Sequence, residues 1–327
     1  MTEQDILAAI DGLTPELQRA YLDQVRDTVD SATLTEVERY IESGDEQGLQ
    51  EYLSLGSMIF FLEALRSVFL KGGRAVKVRA PGYLLVPFDI NAEGAQGVIT
   101  EKNARIIKEI YQGHQEAIRI AMQAGLSEGR SRIDIAKDIL GRVSKQTGNR
   151  TGGVIGMVGL DAQALVNART QLESGDPAQM KQYLKRIDRD TIFDPVVKKA
   201  IAVSKPVSKV NIERILKHYA ERKLKKRALF IGKTEAHEMY NAGIFQKYQQ
   251  LKQGRRAPKS MIKRWRTQED ERVRETHEPL DGSRADLDEP FITIAGSMLM
   301  FPGDTSLGAP LFDRQNCRCT YSVQVIW

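Results

Sequence analysis

The stretch that most limits what this chain can fold into runs from Lys263 to Trp327. It holds both tryptophans, both cysteines and one of the four histidines, among Gly, Pro and Asp turn formers that a long helix would not tolerate. Leu280-Asp281-Gly282 and Phe301-Pro302-Gly303-Asp304 carry turn chemistry, because Gly supplies a positive φ and Pro presets the bend. Between them, Phe291 to Met300 is apolar and β-branched enough for a strand or two. Cys319 to Val325 alternates as a strand with one buried face does. Residues 261–327 therefore read as a small α+β module with a short antiparallel sheet.

Upstream the apolar spacing is helical. Ile6, Leu7, Ile10, Leu13, Leu17, Tyr21, Val25 and Val29 mark helix over residues 3–29, with Thr14-Pro15-Glu16 predicting a restart. Helices from Leu34 to Ile41 and from Glu46 into the apolar run Met58 to Leu70 complete an N-terminal bundle, residues 1–73, closed by Gly72-Gly73. That run contains Glu63 and Arg66 and is too short to span a bilayer, so it reads as a buried helix rather than a membrane segment. Residues 74–99 change period and predict a hairpin or extended arm around Ala80-Pro81-Gly82, then a linker from Asn91 to Gly97. Residues 100–260 form a helical body, with Ser131 as an N-cap and separate helices over Val210–Leu224 and Arg227–Leu251. The Gly-rich loop 144–157 lacks both a Walker A pattern and a strand-anchored Gly-x-Gly-x-x-Gly, so it reads as a flexible connection. The fold class is thus α+β, mostly α-helical.

Composition narrows the setting. With 327 residues, 41% hydrophobic and 28% charged, the chain can bury a sizeable core. Two cysteines in one tripeptide, and no basic leader ahead of an apolar core, point to a reducing cytoplasm rather than a secreted disulfide scaffold. The net charge of +5 is compatible with a polyanion partner. The basic concentration between Lys198 and Arg227 offers Lys217, Arg222, Lys223, Lys225, Lys226 and Arg227 as DNA-phosphate contacts. The plainer reading is a solvated helix face.

Cys317 and Cys319, two apart on an extended segment, present their thiols to one side. With His277 and an acid at Asp270, Asp281 or Asp304 they would surround a Zn²⁺ ion. The alternative is structural: reduced thiols packed as small hydrophobes, with Arg318 paired to a nearby Asp. A lone Cys-x-Cys departs from the usual zinc spacing, and no other cofactor follows from the sequence.

The order of residues in this module resembles the phage head-morphogenesis family, the Mu F-like minor capsid proteins. The pattern is a Trp, then Asp-x-Arg-Val-Arg-x-x-His, Asp-Gly, Pro-Phe, Pro-Gly-Asp and a terminal Asn-Cys-Arg-Cys. Here these are Trp265, Asp270, Arg272, Val273, Arg274, His277, Asp281, Gly282, Pro290, Phe291, Pro302, Gly303, Asp304, Asn316, Cys317, Arg318 and Cys319. The family's upstream helix is matched by Thr234, Glu235, Asn241 and Gly243. The resemblance covers about residues 225–327 and is looser back to about residue 100. It implies a portal-associated minor component of a tailed-phage head, acting in head assembly and the handling of packaged DNA. The implied partners are portal protein, other head proteins and the DNA backbone, with no membrane. The implied location is the head interior or procapsid, and the host cytoplasm during assembly. The resemblance implies no enzyme; a metal-dependent hydrolase or nuclease built on the Cys/His residues, or a nonspecific DNA binder, are the alternatives.

Overall fold

A computed structural model describes residues 2–56, 58–82, 84–144 and 148–327. The fold is α+β and mostly helical. Helices α1 (Glu3–Ser31), α2 (Leu34–Ser43), α3 (Glu46–Tyr52) and α4 (Ile59–Ala75) lead to a hairpin of β1 (Arg79–Ala80) and β2 (Leu84–Leu85). Next come α5 (Glu93–Ser127), α6 (Arg132–Leu140) and a second hairpin, β3 (Arg142–Val143) with β4 (Arg150–Thr151). Helices α7 (Gly159–Glu173), α8 (Pro177–Leu184), α9 (Asp194–Ala202) and α10 (Lys209–Gln253) follow. The chain closes with β5 (Ser260–Arg266), β6 (Arg284–Asp286), β7 (Phe291–Ile292), β8 (Met298–Leu299), α11 (Leu311–Arg314) and β9 (Thr320–Ile326).

These elements group into two compact units. One comprises Met1–Ala20, Ile59–Arg105 and Leu229–Trp327; the other comprises Tyr21–Met58 and Ile106–Ala228. Among the described residues, no helix is long and apolar enough to cross a membrane.

In the first unit several breaks expected from local signals are absent. Pro15 lies inside α1 rather than restarting it. A proline removes one ladder hydrogen bond, and here Thr14 Oγ1 donates back to the Ile10 carbonyl at 3.0 Å while Ile6, Ile10, Leu13 and Leu17 stay buried. Gly72 and Gly73 sit within α4 and do not end it. A Cβ on Gly72 would stand 2.1 Å from the Tyr240 carbonyl oxygen, and one on Gly243 would stand 2.1 Å from that of Phe69. The glycines let the backbones of α4 and α10 touch, which is a packing role that sequence alone does not separate from termination. Of the linker expected over Asn91–Gly97, residues 93–97 are instead the first turn of α5, anchored by buried Ala95 and Ile99. The short hairpin falls where residues 74–99 predict one; Tyr83 lies outside the described residues.

The C-terminal module is ordered by β5. This strand lies between β6 and β9, antiparallel to both, with Trp265 opposite Tyr321 and Met261 opposite Val325. Its alternation buries Met261, Lys263 and Trp265, the period-two signature of a strand with one face inward. The expected strands in Phe291–Met300 are the β7-β8 hairpin, pairing Phe291 with Leu299. Trp265, Leu280, Phe291, Leu299, Cys317 and Cys319 form one apolar cluster.

In the second unit, the helix expected to run from Glu46 into the Met58 segment stops at Tyr52, and buried Leu53, Leu55 and Met58 precede α4. Ser131 caps α6 as its position predicts, accepting from Asp134 N. The helices expected over Val210–Leu224 and Arg227–Leu251 are one element, α10, because neither Gly nor Pro interrupts the sequence between them. Of the Gly-rich loop, Lys145, Gln146 and Thr147 lie outside the described residues. Its second half is fixed rather than flexible: Val154, Ile155 and Met157 are buried, and Gly156 binds through both backbone groups. The Gly156 N–H donates to His114 Nδ1 at 3.1 Å, and its carbonyl accepts from the Tyr21 hydroxyl at 2.5 Å.

Candidate functional site

The site lies in the C-terminal module, where two distant pieces of chain meet. His277 ends the loop that leaves β5 and immediately precedes a 3-10 turn, Glu278–Leu280, so its position is fixed by that turn. Cys317 and Cys319 lie on the segment entering β9, with Asn316 held in the left-handed region (φ 49) just before them. Both thiols turn inward and Arg318 turns out, as an extended segment requires. His277 Nδ1 stands 3.8 Å from Cys317 Sγ and 3.6 Å from Cys319 Sγ, and the three ligand atoms all lie within 4.8 Å of one another. Trp265 packs edge-on against the imidazole with ring centroids 5.3 Å apart.

The expected fourth member is not there. Asp270 faces Arg318 in a two-pronged ion pair, which holds its carboxyl down to about 2. Asp281 accepts from Thr267 N at 2.7 Å and from Thr267 Oγ1 at 3.2 Å. Asp304, fully buried, accepts from Met300 N at 3.0 Å, from Ser306 N at 3.0 Å and from Ser306 Oγ at 2.7 Å. The acid beside the histidine is Asp313 instead, its Oδ1 3.7 Å from His277 Nε2 and both side chains fully buried. Sequence reasoning missed it because only the turn of α11 brings Asp313 inward; its place four residues before Cys317 was the one available hint.

The thiols do not behave alike. The hydrogen bond from Cys319, and then that from His277, hold the Cys317 thiol well below the usual thiol range against its burial. Cys319 is pushed the other way, by its bond to Cys317 and by burial.

The remaining motif residues fasten the module. Arg274 donates to the Gln315 carbonyl, and Arg272 is mostly exposed beside Asp270. Gly282 has a positive φ of 71 and its N–H donates to the Trp265 carbonyl at 3.0 Å, closing the turn between β5 and β6. Phe291 meets Trp265 at 5.2 Å. The Pro302 carbonyl accepts from Asn241 Nδ2 at 3.2 Å, and a Cβ on Gly303 would stand 2.7 Å from His237 Nδ1. His237 is buried, and its Nε2 donates to the Cys319 carbonyl at 2.8 Å.

A second cluster in this unit had no signal in the sequence. Lys102 and Arg105 of α5 meet Glu235 and Glu238 of α10, with Asp304 and Arg314 of the module. The charges balance, three cations against three anions, as burial demands. Burial would raise the Glu238 carboxyl, but Lys102 and Arg105 bring it below its ordinary range. Burial likewise dominates at Glu235 and raises it.

The DNA-contact candidates belong to the other unit. Lys223 pairs with Asp161 and Asp188, each at 3.1 Å, Arg222 with Asp190 at 3.2 Å, Lys226 with Asp188 and Lys217 with Glu221 at 4.0 Å. Arg227 acts on the Tyr21 hydroxyl, and Lys225 is exposed on the same helix. Much of this positive charge is therefore answered within the unit.

The fold that results is a mostly helical α+β chain whose last part is a strand module locked to a long helix. Residues 207–322 match the family described as Phage Mu protein F like protein, a span that takes in all of α10 and the module up to Ser322. This segment is similar to that family. No curated protein and no solved structure matches the chain.

Proposed function

We propose that this chain is a minor capsid protein of a tailed bacteriophage, associated with the portal and acting in head assembly and the handling of packaged DNA. The observation that carries the reading is the Mu F-like match over residues 207–322, the stretch in which α10 and the C-terminal module are joined. The family suggests a role in phage head morphogenesis, with other head proteins as partners and the virion or procapsid as location.

The chemistry of the motif supports a scaffold over a catalyst. General acid–base work needs a carboxyl free to reach a substrate proton. Asp270, Asp281 and Asp304 are each engaged by a guanidinium, by a hydroxyl and an N–H, or by backbone and serine donors. Residues so committed hold turns and strands in place.

The test is co-assembly. The full chain should co-sediment with precursor heads and be retained by immobilised portal protein. Its absence from purified heads, with no retention by the portal, would overturn the proposal. For the DNA role, affinity for duplex should fall steeply as salt rises, because phosphate contacts release counterions. Binding that ignores salt would exclude the phosphate contacts.

A further inference from the structure

We infer that His277, Cys317 and Cys319 form a zinc-binding site, with Nδ1 and the two Sγ atoms as ligands and Asp313 as the residue that orients His277. The inference is independent of the head-assembly reading and would stand or fall without it.

Geometry carries the argument. Zinc bonds of about 2.0–2.1 Å to nitrogen and about 2.3 Å to sulfur, opened to a tetrahedral angle, place N and S roughly 3.6 Å apart. The observed Nδ1–Sγ separations are 3.6 Å and 3.8 Å, so the ligand atoms already stand at the edges of such a tetrahedron. All three side chains are buried. Two thiols and an imidazole are the donor set that suits zinc, whereas magnesium and calcium prefer oxygen.

The far side of the ring gives an independent observation. His277 Nε2 and Asp313 Oδ2 are buried without a hydrogen-bond partner among the described residues. Asp313 Oδ1 faces Nε2 at 3.7 Å and is held by Thr276 Oγ1 at 2.9 Å. Metal-bound histidines typically give their second N–H to a carboxylate, which fixes the tautomer and the ring plane. Here the carboxylate stands on the side away from the thiols, where that role needs it. Zinc would displace the thiol protons to solvent and tie the loop after β5 to the entry of β9. No further His, Cys, Asp or Glu joins the group among the described residues, so water or an outside ligand completes the coordination.

The experiment uses the reduced full-length chain. Titration with Co²⁺ should give one ion per chain, with thiolate-to-cobalt absorption in the near ultraviolet and the strong visible bands of a tetrahedral site, and Zn²⁺ should bleach both. Asp313→Asn should keep the thiolate bands but weaken zinc binding roughly 10- to 100-fold, the cost of an outer-shell change. Cys317→Ser with Cys319→Ser should remove the thiolate bands and weaken binding further still. Failure of the wild-type chain to take up stoichiometric metal, or uptake without thiolate absorption, overturns the site whether or not the variants fold. So does a double-serine variant that binds zinc as the wild type does.

Discussion

Two buried histidines, one in each unit, show how differently the same side chain can be used. His114 is satisfied on both nitrogens: Nε2 donates to the Leu53 carbonyl at 2.8 Å, and Nδ1 accepts from Gly156 N–H at 3.1 Å. Its neutral form is built into the fold, and burial lowers its pKa from 6.5 to about 4. His277 has no such backbone partners. It has sulfur on one side and a carboxylate on the other, each beyond ordinary hydrogen-bond length for nitrogen and oxygen. Burial alone therefore says little about a histidine; what its two nitrogens face distinguishes a strut from a ligand.

The largest effect should come from metal removal at His277. At free zinc about 100-fold above the dissociation constant, binding adds about 2.7 kcal/mol of stability, so a strong chelator should lower the melting temperature of the wild-type chain. The Cys317→Ser, Cys319→Ser variant should not respond to chelator, and an equal response in both would break the contrast. His114→Ala should cost a similar amount, about 2–4 kcal/mol, because it strands one buried acceptor and one buried donor. Urea unfolding measures this loss, which should be indifferent to chelator.

Acid sharpens the comparison further. The folded-state pKa of His114 is depressed, so its contribution is fully present above 6.5 and is lost as pH falls toward about 4. The unfolded chain binds the extra proton across that window, and the total loss is about 3 kcal/mol. Stability measured against pH for the wild type and for His114→Ala should lie furthest apart above pH 6.5 and draw together between pH 6.5 and about 4. Curves that stay parallel between pH 6.5 and about 4 would mean that His114 does not carry this dependence. The smallest effect is expected from Asp270→Asn, which loosens a half-exposed pair with Arg318 and should shift the melting temperature less than His114→Ala does.

Much of the C-terminal module was legible in the residues. Turn formers at Asp281-Gly282 and Pro302-Gly303 fall where the chain reverses, and the alternation from Cys319 onward became β9. The shared side of the two thiols was likewise foreseeable from spacing. Local rules failed where packing overrode them. Pro15 is carried through α1, Gly72 serves helix contact, and residues 93–97 coil into α5 because Ala95 and Ile99 find cover. The Gly-rich loop looked mobile for want of partners, which His114 and Tyr21 supply from far along the chain.

By itself the sequence determined which side chains are available for chemistry, and on which periodic face or turn each stands, because period and turn preference act over a few residues. Tertiary structure decided the company they keep. Asp313 rather than Asp270, Asp281 or Asp304 faces His277, and Lys102 meets Glu238 and Asp304 across long stretches of chain. Those pairings follow from burial, which rewards whichever charge can be answered inside the fold and leaves no trace in spacing.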